Sequence, residues 1–400
     1  MPAKPAHGYK SVEELLAAKE IVIACGPGGV GKTTTAASIA ATAALRHPGK
    51  VLVLTVDPAR RLADALGIRG LGNAARRVPD KAFAEAGHSP RGQLWAAMLD
   101  TKESWDSLIR THAPDKATEE KILSNPMYKN ISGRFAQGHE YIAMERLYEL
   151  HSDGDYDLIV VDTPPTRNAI DLLDAPERMA DFFSSRLLRW LIIPYRSRLV
   201  GAASRPFYQV ADRILGSQLL QDLADFFILF QTMYDGFVTR AEAVKRLLRD
   251  VSTTFMVVTT LEAAPAREAQ AFVQMLSERH LHLGLLVCNK VLPDYLRDPA
   301  ATAAAEAMRK ESEALGDQVA AVLPAKLADA VQVGRVVDEI GTSFVNFQLV
   351  ARREADLLAE MAAAHDVSAS VPYFDTDITD LRGVLRLGET IFKSTDQGEG

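Results

Sequence analysis

The stretch "IVIACGPGGVGKTTTAASIAATAAL" (residues 21–45) decides the fold. It opens with an unbroken apolar run, as a strand buried on both faces does, and from Lys32 onward it reads as an Ala-rich helix. Between them, Gly26 to Thr33 spells G-x-x-x-x-G-K-T, a loop whose backbone N–H groups wrap the phosphates of a nucleotide. Strand, glycine-rich loop and helix in that order are the context this motif needs, and a bare turn would explain neither Lys32 nor Thr33. Gly26, Pro27, Gly28, Gly29, Val30 and Gly31 then sit beside ATP. Lys32 is placed to reach the β- and γ-phosphates and Thr33 to offer a hydroxyl to Mg2+. Thr34 can cap the helix and touch the α-phosphate.

Working outward, similar apolar runs recur at 51–56, 158–162, 255–260 and 283–289, separated by helical patterns. Strands alternating with helices imply right-handed parallel crossovers. The expected fold is α/β, a mostly parallel sheet flanked by helices, as one P-loop domain over 1–400. "QLWAAMLD" (93–100) reads as a further strand, and "SASVPYF" (368–374) as a last loop or short strand. Helical stretches at 168–248 and 298–365 read as insertions. The polar tail at 394–400 is expected to fray.

Composition narrows the function. The chain has 400 residues, 48% hydrophobic and 24% charged, with a formal net charge of −7. An acidic balance lacks the global attraction for phosphate backbones, so nucleic acid is not an expected partner. Its two cysteines, Cys25 and Cys288, lie in apolar runs, which suits a reducing compartment. No run is long enough to span a membrane and the N-terminal stretch lacks an apolar h-region, so the expected location is cytoplasmic.

Two further motifs carry chemistry. "LIVVDTPPT" (158–166) is an apolar strand ending in Asp162, whose carboxylate can hold Mg2+ directly or through water. "LTVDPARRLADALG" (54–67) turns at Asp57-Pro58 into a helix. On residue type alone, Asp57 could simply cap that helix.

The succession of P-loop, D-P-A-x-x-L-x-D-A and strand–D-T-x-P-T resembles the arsenical pump-driving ATPase family, which also contains the tail-anchored-protein targeting ATPases. The resemblance extends to "LWAAMLDTKESWDSLI" (94–109), "VCNK" (287–290) and "VPYFDTDITDLRGVLRLGETIF" (371–392). It implies an ATPase in which Asp57 orients or deprotonates the attacking water. Asp162, Thr163, Pro165 and Thr166 would sense the γ-phosphate. Asn289 would read the adenine edge with Lys290 beside it, while Pro372 and Tyr373 cover the base. It also implies a dimer, either of two copies or with a paralogue, that rearranges a helical subdomain around a hydrophobic protein client or serves a membrane-protein pump.

The departures matter as much. Family members usually carry a lysine after the first P-loop glycine, and it crosses to the partner subunit's phosphates. Here that residue is Pro27, which has neither charge nor N–H. Either a switch arginine (Arg60, Arg61 or Arg167) or another subunit supplies the cation, or this subunit is a slow or inactive ATPase. A zinc-bridged dimer would need a C-x-x-C pair, and arsenite several close thiolates, so neither is expected.

In the first insertion, Leu219, Leu223, Phe226, Phe230, Met233 and Phe237 recur at spacings of 4 and 3, with Phe227 on an adjoining stripe. So wide an apolar face fits either mutually buried helices or a groove for a client helix.

Overall fold

Eight strands form one sheet among the described residues: β1 (Ile21–Cys25), β2 (Lys50–Thr55), β3 (Arg76–Arg77), β4 (Gln93–Met98), β5 (Leu158–Asp162), β6 (Thr253–Thr259), β7 (Leu283–Val291) and β8 (Ser368–Pro372). The structure is a computed structural model that describes residues 8–56, 61–68, 70–131, 136–163, 225–229, 232–363 and 367–396. The strand order is β3-β4-β2-β5-β1-β6-β7-β8. Every pairing is parallel except β3 against β4. The short β3 was not legible: Arg76 and Arg77 have no apolar signature and pair only at the sheet's edge.

The chain leaves β1 for β2 on one side and returns to β6 on the other. That reversal of strand order makes a crevice beyond the carboxyl ends of β5, β1 and β6, where open α/β sheets bind ligands. The strands are apolar without alternation because both faces are covered. Ile21, Ile23 and Cys25 pack into one core with Trp105, Tyr141 and Phe272. Val22 and Ala24 pack into the other with Ile39, Leu385 and Phe392.

The P-loop helix (Lys32–Arg46) is built from Ala, Thr and Ser because other elements approach it closely. Gly388 of the last helix (Leu381–Asp396) touches it so tightly that a Cβ there would lie 1.9 Å from Thr42 Oγ1 and 2.7 Å from the Ser38 carbonyl. The glycine in the C-terminal pattern thus has a packing reason.

Among its described residues the stretch 298–365 holds three helices, Pro299–Lys310, Ser312–Ala320 and the 34-residue Ala330–Ala363. They meet through small residues. A Cβ on Gly316 would sit 2.8 Å from Gly334 Cα, and one on Gly341 2.6 Å from the Ala305 carbonyl.

Candidate nucleotide site

Gly26 follows β1 at φ 150°, and a Cβ there would lie 2.0 Å from the Val258 carbonyl of β6, so only glycine lets the loop leave the strand. Gly31 is the helix N-cap, in the left-handed region at φ 94°. Having no side chain, Gly31 makes no side-chain capping hydrogen bond. The positive end of the helix dipole at such a glycine-led start favours an anion. Thr33 and Thr34 are half-buried in this first turn.

Lys32 is buried, and its Nζ donates to the Pro27 carbonyl at 3.0 Å. The ammonium is thereby held against the loop it would share with phosphate. Pro27 is itself buried, whereas Gly28 and Gly29 are exposed. The proline thus supplies a carbonyl to the P-loop lysine.

Asp162 ends β5 beside Ala24 of β1 and is fully buried. Its Oδ2 accepts a hydrogen bond from Thr55 Oγ1 at the end of β2, 2.9 Å away. The next residue, Thr163, donates to the Ala24 carbonyl at 2.7 Å. A buried carboxylate oriented by a hydroxyl is a hard oxygen donor of the kind that suits Mg2+. Thr33 and Asp162 are the residues that would hold it. Thr55 was missed in the sequence because a threonine closing a strand run looks like any β-former.

Asn289, also nearly buried, lies near the end of β7. Its Nδ2 donates to the Val30 carbonyl at 2.8 Å, and its Oδ1 accepts from the Lys290 N–H at 2.9 Å. A Cβ on Gly31 would lie 2.5 Å from the same Nδ2, so the amide sits directly against the P-loop. Lys290 takes a left-handed φ of 59° where the β7–β8 register slips. Such a φ is uncommon for a residue with a side chain. Pro372 and Tyr373 are exposed at the end of β8, and the Tyr373 N–H donates to the Val291 carbonyl at 3.0 Å. The P-loop, Asp162, Asn289, Pro372 and Tyr373 therefore all lie along the carboxyl edge of the sheet.

The sequence matches the family described as "Anion-transporting ATPase" over residues 19–322. The chain belongs to this family of ATPases. This ATPase is similar to the "ATPase ASNA1 homolog" of Entamoeba dispar, 26% identical over 67% of the chain and 75% of that protein. It is also 31% identical to "Uncharacterized protein SCO2128" of Streptomyces coelicolor, over 67% of the chain and 62% of that protein. "ATPase GET3" of Candida dubliniensis is 26% identical over 70% and 76%.

Other site residues of this ATPase are placed unevenly. Asp57, Pro58, Arg60, Pro165, Thr166 and Arg167 lie outside the described residues, and Arg61 is described only as the start of the helix Arg61–Ala65. Of the apolar stripe, Leu219, Leu223 and Phe230 lie outside, as does the side chain of Phe237. Phe226, Phe227 and Met233 are buried in the core that holds Trp105, Leu108 and Tyr141. The Phe226 and Phe227 rings meet edge to face with centroids 5.2 Å apart.

Burial pushes the thiols of Cys25 and Cys288 up to about 12. Both are therefore protonated at neutral pH, which suits packing rather than thiolate chemistry.

Proposed function

We propose that the chain is a Mg-ATP-hydrolysing dimeric switch, in which closure on ATP rearranges the helical insertion around a hydrophobic client. The observation that carries the reading is the convergence of a P-loop helix led by Gly31, Lys32 tethered to Pro27, and the buried Asp162 that ends β5 beside Ala24 of β1. In this reading Lys32 leaves the Pro27 carbonyl for the β- and γ-phosphates, exchanging a neutral acceptor for a charged one. Thr33 and Asp162 would hold Mg2+, which when bound would supply charge neutralisation for the phosphates. Asp57 positions the attacking water and accepts its proton. Asn289 releases its backbone partners to read the base edge, with Lys290, Pro372 and Tyr373 around it.

Pro27 removes the family's usual trans cation, and Arg60, Arg61 or Arg167 replaces it, or a paralogous subunit lends it. Phe226, Phe227 and Met233 turn into the core, so the client-binding part of this reading rests on Leu219, Leu223, Phe230 and Phe237.

The deciding experiment is Asp57→Asn in the full chain. ATP binding should persist while turnover falls by about 100-fold or more, since the shape stays and the base goes. Hydrolysis at the parent rate would overturn the role. Alanine at Arg60, Arg61 and Arg167 in turn locates the cation, with a fall of at least about tenfold expected for one of them. If none falls, the cation comes from another subunit.

A further inference from the structure

The long helix Ala330–Ala363 buries one side against its two neighbouring helices through Gly334, Gly341, Gln348 and Ala351. A second side is apolar and open. Val336, Ile340, Phe347 and Val350 are 57%, 52%, 56% and 44% exposed, and with Ser343 they recur at spacings of 4, 3, 4 and 3 residues. That alternation is a heptad seam, and four large apolar residues on one seam are not the scattered exposure of an ordinary surface. Beyond Val350 the seam closes. Glu354 accepts from the Leu292 N–H at 3.3 Å, Leu357 packs on the core and Met361 is buried in it. The open part runs from 336 to 350, about 21 Å of helix.

We propose that this seam pairs with the same seam of a second copy of the chain, the two long helices running antiparallel across a two-fold axis. The pattern is self-complementary in that sense. With Ile340 set against the partner's Val350, Phe347 falls on the partner's Ser343, the largest seam residue on the smallest. In an antiparallel pair the residues just before each first heptad position flank one another. Those residues are Glu339, Asn346 and Arg353, all exposed. Asn346 then meets the partner's Asn346 at the axis, and Glu339 meets the partner's Arg353 twice over by symmetry. Sliding the pair by one heptad keeps apolar layers but sets Glu339 against an asparagine, so charge selects the register. This pairing uses no nucleotide-site residue and does not rest on the proposed switch.

The test is the oligomeric state of the full chain by sedimentation, with and without ATP, beside Lys32→Ala. A nucleotide-independent dimer that survives Lys32→Ala supports the seam. A monomer without nucleotide overturns it, whether or not ATP then dimerises the chain. Phe347→Asp should weaken the dimer about 30-fold or more, with the helical signal unchanged. Glu339→Arg and Arg353→Glu should each weaken it about tenfold, and the double variant should restore it. Failure of the double variant to restore the dimer overturns the antiparallel register. As an independent check, Asn346→Cys should be linked between copies by a short bifunctional maleimide, to which the buried native thiols are not accessible. Absence of that link with a dimer present also overturns the register.

Discussion

The P-loop helix and the long helix are opposite solutions to the same problem. Lys32–Arg46 is covered nearly all round: Ala36, Ala37, Ile39, Ala40, Ala41 and Ala44 are buried, and Gly388 of the last helix presses on Thr42. Ala330–Ala363 is more than twice as long, yet its neighbours cover one side and leave aliphatic and aromatic groups on another. Intrachain packing alone explains the first helix. The second has an apolar seam that intrachain packing leaves open, and this seam, unlike the P-loop helix, offers a surface to a partner.

The sharpest way to break the crowded end is Gly26→Ala. The new methyl would need to sit 2.0 Å from the Val258 carbonyl, at a φ that L residues rarely adopt. Relief requires moving the loop, so nucleotide binding should be lost at any attainable concentration, as measured by calorimetry. Gly388→Val comes next. Its side chain would drive the last helix off Thr42 and the Ser38 carbonyl, and overpacking of this kind costs about 3 kcal/mol. A fall in the denaturant midpoint with unchanged slope would register it. No loss of stability would mean that the two helices are not locked as described.

Thr55→Val tests a finer feature of the same end. Valine keeps the shape and removes the hydroxyl that holds Asp162 Oδ2. A hydrogen bond to a charged acceptor is worth about 1.5–3 kcal/mol, so turnover should fall about tenfold with folding kept. Unchanged turnover would show that the strand end alone orients the carboxylate.

How much of this was legible follows the same division. Residues 21–45 announced the strand, loop and helix because the motif couples chemistry to backbone shape, and the apolar runs gave the strands of the mostly parallel sheet. Asp162 was legible as a strand-terminal carboxylate, but its partner Thr55 was not, since the two come together only when β2 and β5 pair. Asn289 was noticed through its family likeness, whereas its grip on the Val30 carbonyl is a tertiary contact across 259 positions. The stretch 298–365 was legible as a helical insertion. Which of its apolar faces is covered depends on where the neighbouring helices lie, and single-sequence periodicity does not carry that information. Phe226, Phe227 and Met233 show the converse. Their spacing fitted both a core and a groove, and their burial turns these three inward.

The smallest expected effect separates exposure from position on the open helix. Leu349 is 54% exposed and Phe347 56%, so a surface-area argument treats them alike. Residues two apart on a helix do not share a face, however, and Leu349 lies off the seam traced by Ile340, Ser343, Phe347 and Val350. Leu349→Asp should therefore change stability by less than about 0.5 kcal/mol and leave the sedimentation of the full chain as it was. Phe347→Asp, with the same charge at nearly the same exposure, should weaken association. If both substitutions weaken it equally, the association is generic apolar stickiness and not a registered pair of helices. If only Phe347→Asp acts, the helix is read by its partner along one stripe.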